Sequence, residues 1–237
     1  MSGRDHNEVL KDAAKRTLEP LGLLQMGRSR TWLDDRIWYL IVVDFSPSSF
    51  SKGSYINVGA NVLLYAKNHE SFDFLPRGPQ LFESAEEPNW DVRIAELARA
   101  AAKRVAWLRQ EFSSMRVAAD RLADHARGGW NSLYAGICYG LVGDIDRSRE
   151  QLDLVVNAVP MAAWQHDLIA AAQSWLSLVN AQSQFRDAAI ATIVDARARL
   201  NLPALTRAQV GEAVDRAIER RSPSLLSRLM GVIDMEG

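Results

Sequence analysis

One cysteine in the whole chain leaves no internal disulfide to close and no thiolate set to hold zinc. Cys138 sits in the apolar stretch "LYAGICYGL", where a buried thiol behaves as a small hydrophobe. Histidine is nearly as scarce. His6, His69, His125 and His166 stand far apart, and none forms the helical His-x-x-x-His pair that favours a metal. Missing too are a Walker-type glycine loop, a Gly-x-Gly-x-x-Gly turn and a Gly-x-Ser-x-Gly elbow, the local signatures of phosphate binding and of a serine nucleophile. No catalytic residue, metal or cofactor is therefore expected.

Charge of one sign is also missing. The formal net charge of −1 provides no global excess to hold a nucleic-acid backbone or an anionic membrane. Basic groups do cluster, at Arg93, Arg99, Lys103 and Arg104 and again at Arg216, Arg220, Arg221 and Arg228. Asp91, Glu96, Glu111, Asp215 and Glu219 interleave with them, which predicts a salt-bridged, solvated face and not a nucleic-acid track. The unbroken apolar run "IWYLIVV" at residues 37–43 is far short of the ~20 residues that span a bilayer. The opening "MSGRDHNEVLKDAAKR" is charged where a secretion signal carries apolar residues. No membrane partner is expected, and a cytoplasmic setting is.

What is present is an ordinary globular balance, 48% hydrophobic and 24% charged, in a chain of 237 residues, enough for two small domains. Val9, Leu10, Ala13, Ala14, Thr17, Leu18 and Leu21 recur at helical spacing until Pro20 and Gly22. From Gly27 the period changes. "RSRTWL", "DD" and "RIWYLIVVDF" predict two strands joined by a tight turn centred on Asp34 and Asp35, the second strand central because it is apolar on both faces. Asp34, Asp35, Asp44 and Asp73 could form a carboxylate site, but a turn role is the better account of the first two. Ile56, Val58, Ala60, Val62 and Leu64 then line one face of a strand, while Tyr55, Asn57, Gly59 and Asn61 line the other. Two prolines and a glycine in "FDFLPRGPQLF" allow at most an edge strand and loop.

Beyond Pro88 the alternation ends. Ile94, Leu97, Ala101, Val105, Leu108, Phe112, Met115, Ala119, Leu122 and Ala126 form an apolar stripe at three- and four-residue steps, either one long helix or two bent at Ser113 and Ser114. Further helices are predicted over 162–180, 185–200 and 206–220, the last opened by a Thr206–Gln209 capping box, with an apolar tail after it. The fold class is α+β: a small antiparallel sheet with a packed helix (1–88), a connecting helix (89–128) and an all-helical half (129–237).

The polar strand face supplies the ligand candidates: Ser48, Ser49, Tyr55, Asn57 and Asn61, with Lys52 beside them. Water is the simpler occupant of that face, and Gly59 leaves room for another backbone or a ligand. Around it, "LEPLGL", a "TW" strand, "WYLIVVDF", "SSF" and "YINVGANV" together make the N-terminal part similar to the bacterial domain of unknown function 4304 family. The resemblance implies a small α/β fold and no stated activity. In the second half, Gly136, Tyr139, Gly143, Asp144, Ser148, Leu152, Val155 and Pro160 resemble a single tetratricopeptide repeat over residues 129–160, with Ser132 where that family carries its first tryptophan. That implies two antiparallel helices whose groove could seat a partner.

Two functions from different classes follow. The leading expectation is a non-catalytic protein-interaction module, toxin-neutralising or regulatory, acting on another protein or by self-association through Tyr139, Trp164 and Trp175. The alternative is a small-ligand binder or enzyme working on the polar sheet face.

Overall fold

The computed structural model describes residues 6–47, 53–75, 82–84, 89–126 and 128–219. Helix α1 (His6–Leu18) ends in a 3-10 turn (Glu19–Leu21), after which Gly22 takes a left-handed φ of 85°. Five strands follow: β1 (Leu24–Gln25), β2 (Thr31–Asp35), β3 (Tyr39–Pro47), β4 (Gly53–Val62) and β5 (Phe82–Ser84). They pair antiparallel in sequence order, so each connection joins neighbours. β3 is central, and its residues from Tyr39 to Val43 and Phe45 are all buried, as its two apolar faces predict.

The turn between β2 and β3 lies about two residues later than the sequence suggests, at residues 36–38. β2 runs through Asp35, and Ile37 carries the reversal at a φ of 73°, a conformation that β-branched residues rarely adopt. Asp34 and Asp35 remain in the strand because each finds a cation. Asp34 Oδ2 accepts from Arg36 Nε at 2.9 Å and from Arg109 Nε at 2.8 Å. Asp35 accepts both Nη groups of Arg197 at 2.7 Å. Asp35 keeps one turn function, accepting the Ile37 amide at 2.9 Å.

The apolar stripe beyond residue 88 is two helices, α2 (Trp90–Glu111) and α3 (Met115–Asp124). Ser114 Oγ accepts the Val117 amide at 3.2 Å and caps α3, while Phe112 at the break is buried against Trp38, Tyr39 and Phe74. α2 lies against α1 and the sheet. Then come α4 (Trp130–Leu141), α5 (Ile145–Val156), α6 (Ala163–Leu178), α7 (Gln182–Arg199) and α8 (Arg207–Glu219). The capping box opens α8 as predicted: the Thr206 amide donates to Gln209 Oε1 at 2.9 Å, and the Gln209 amide to Thr206 Oγ1 at 3.2 Å. A single buried apolar cluster runs from α1 and the sheet through to α8.

The α4–α5 hairpin closes on the residues that mark it. A Cβ on Gly136 would stand 2.7 Å from Leu152 Cγ, so only glycine admits this approach. Ser148 Oγ donates to the Gly136 carbonyl at 2.7 Å across the same gap, and Gly143 turns the chain at a φ of 79°.

Candidate binding site at the sheet–helix seam

The expected polar sheet face is largely spoken for by the chain itself. Residues 71–75 fold back over it, with Phe74 and Ala60 exchanging amide hydrogen bonds at 2.8 and 3.1 Å. A Cβ on Gly59 would meet the Phe74 carbonyl oxygen at 2.8 Å, so the backbone for which that glycine makes room is the protein's own. Asn61 is thereby buried, which corrects the expectation of a uniformly water-facing row. Asn57 remains half-buried and donates to Ser46 Oγ at 3.1 Å, in a ladder with Asp44 and Thr31. Tyr55 is half-buried on the same face. Ser48, Ser49 and Lys52 lie outside the described residues, as does the C-terminal tail from residue 220.

The helical candidates separate as sharply. Tyr139 is buried and donates its hydroxyl to Asp120 Oδ1 at 2.9 Å, with the Arg116 and Arg147 guanidinium groups each 5.5 Å from its ring. It is a clasp between α3, α4 and α5, not a groove surface. Burial first, then the Asp120 carboxylate, push its hydroxyl up to about 12 from the ordinary 10.0. Because the folded value lies above the unfolded one, Tyr139 supports the fold fully below pH ~10 and loses that contribution as pH rises toward ~12. Thermal melts across that window should therefore fall less steeply for Tyr139→Phe than for wild type, and parallel curves would deny the clasp. Trp175 is buried against Phe185, ring centroids 4.8 Å apart, so the expected exposed pair of tryptophans reduces to Trp164.

Trp164 is 48% exposed and belongs to a larger feature. Residues 159–164, "VPMAAW", are six consecutive apolar residues, all exposed, with Val159 at 82% and Met161 at 89%. The Gln165 side chain accepts the Ala162 amide at 2.9 Å and fixes the start of α6 beneath them. Trp164 then stacks on Trp130, the first residue of α4, with centroids 5.9 Å apart and planes within 12°.

Behind that stack lies a cleft of about 630 Å³ between the loop after β4 and helices α4, α6 and α7. Tyr65 meets Trp130 edge-on at 4.8 Å. The Lys67 ammonium lies 4.5 Å from the Trp130 ring centre and 5.5 Å from that of Tyr134. It donates to Ser71 Oγ at 3.0 Å and pairs with Asp73, whose other oxygen accepts the Val62 amide at 2.9 Å. Burial and the neighbouring Asp73 carboxylate hold the Tyr134 hydroxyl protonated, well above its ordinary range. Carboxylate, hydroxyl and ring faces thus surround the Lys67 ammonium and fix its position in the cleft.

Tyr65, Lys67, Trp130 and the apolar strip were invisible as a set, because the loop after β4 and the start of α6 meet only in space. The strip itself carried a signal: a connector should be polar, and six apolar residues in one are an anomaly unless they have a use. Among the described residues no three His, Cys, Asp or Glu side chains converge as a metal site, and no helix is long and apolar enough to cross a membrane. No family model matches the chain, and no curated protein or solved structure matches it.

Proposed function

We propose that this chain is a non-catalytic protein-interaction module that docks its partner on residues 159–164. The exposed strip carries the proposal. Burying a Val, Met or Trp side chain is worth roughly 1.5–3 kcal/mol, and monomeric proteins rarely leave such residues contiguous in water. Trp164 is also half-fixed in advance by its stack on Trp130, so a partner that covers it orders little that is not already ordered.

Native mass spectrometry of protein purified gently from its own host tests this directly. A bound protein or a doubled mass is expected for wild type and for Asn57→Ala, and its loss is expected for Val159→Asp combined with Met161→Asp. Both strip side chains are exposed, so the melting temperature of that variant should hold. A complex that survives the strip variant but disappears with Asn57→Ala would transfer the function to the sheet face and end this proposal.

A further inference from the structure

We propose that the mouth of the cleft beside the strip receives an arginine side chain of the docked partner, laid on the exposed indole of Trp164 with its guanidinium edge on Asp167. This rests on the docking role above and names the partner's chemistry. The ring faces here already accept a cation: the ammonium of Lys67 lies on Trp130 and Tyr134. That position is filled by the protein itself, and Trp164, stacked on Trp130, is the indole left half exposed.

The charge balance points the same way. Of the cations lining the cleft, Lys67 is tied to Asp73, and Arg199 to Asp195 at 2.9 Å. Asp167, which lines the cleft, and Glu70, which lines the adjoining hollow across Asn68 and Arg199, have no cationic partner among the described residues. Two carboxylates are thus left uncompensated, which disfavours phosphate or a partner carboxylate and favours a cation. Asp167 follows Trp164 by one helical turn on α6, so the two side chains present a flat face and an anionic edge together. Guanidinium matches both at once, being planar, weakly hydrated and able to pair with a carboxylate through two parallel N–H groups, whereas an ammonium offers only a point charge.

The test is an NMR titration of the tryptophan indole N–H signals with N-acetyl-arginine methylamide, using the citrulline counterpart as the uncharged isostere. The Trp164 signal is identified by its absence in Trp164→Phe. A saturating shift of that signal is expected for arginine, with citrulline binding about 10-fold more weakly and Asp167→Asn costing roughly 5-fold. Equal binding of citrulline, a response indifferent to Asp167→Asn, or no shift up to ~50 mM probe would overturn the assignment. Failure here with the strip variant still abolishing the complex leaves docking intact and removes only the arginine. A bound arginine probe with the complex indifferent to the strip variant does the reverse.

Discussion

Asp35→Ala should destabilise the fold by about 3 kcal/mol, lowering the melting temperature by roughly 6–12 °C. The size follows from what it leaves behind. Arg197 is 3% exposed, and with Asp35 gone its guanidinium keeps only the Pro203 carbonyl at 2.9 Å and the Ile37 carbonyl at 3.3 Å. A buried cation without a counter-ion is the costly half of a broken pair. Asp35 itself is 30% exposed, so the converse change should be milder. Arg197→Met keeps most of the volume, removes the charge and lets the carboxylate turn to water, at a cost of about 1–2 kcal/mol. Urea titration of both variants gives the order, and Arg197→Met proving the worse would mean that the pair is held by packing and not by charge. The same carboxylate holds the Ile37 amide, so its loss also releases the left-handed turn between β2 and β3.

That pair shows where sequence reading stops. Strand alternation, helical periodicity and the punctuation at Gly22, Gly143 and Thr206 are local, and most elements appear where those signals put them, the short β1 and the turn after β2 excepted. Arg36 is a local partner of Asp34, but the other cations are distant: Arg109 lies 75 residues on from Asp34 and Arg197 lies 162 residues on from Asp35. Two adjacent aspartates whose cross-fold cations lie that far along the chain look like a turn. Asn61 departs from its expected exposure for a related reason, since its cover is a loop with no period of its own.

The candidate site was half legible. Trp164 and Trp175 stand about three turns apart on the same face of α6, so periodicity treats them alike. Packing does not. Trp175 meets Phe185 of α7, while Trp164 lies in the exposed first turn of α6 and stacks on Trp130. Which part of an apolar face is covered depends on where the neighbouring helices end, and no spacing rule contains that.

Phe185 carries the second large effect, because it sets how α6 and α7 sit on α4. Its ring is fully buried between Trp175 and Gly140, where a Cβ would stand 2.4 Å from Phe185 Cζ and 2.6 Å from Cε1. α7 has no freedom to retreat, since Gln182 Nε2 donates to the Gly140 and Leu141 carbonyls at 3.0 and 3.3 Å. Phe185→Ala is therefore expected to cost about 3–5 kcal/mol. Gly140→Ala alone should cost about 1–2 kcal/mol, the clash with the ring outweighing the roughly 1 kcal/mol that alanine gains over glycine inside a helix. In the Phe185→Ala background the clash is gone and only the helix term remains, so the sign reverses: the double variant should be more stable than Phe185→Ala by about 0.5–1 kcal/mol. Denaturant midpoints of the four proteins close the cycle. If Gly140→Ala destabilises both backgrounds alike, the glycine serves something other than the ring. If the sign reverses, the close approach of α4 to α7 is what holds α6 in place, and with it the stack of Trp164 on Trp130 on which the docking surface depends.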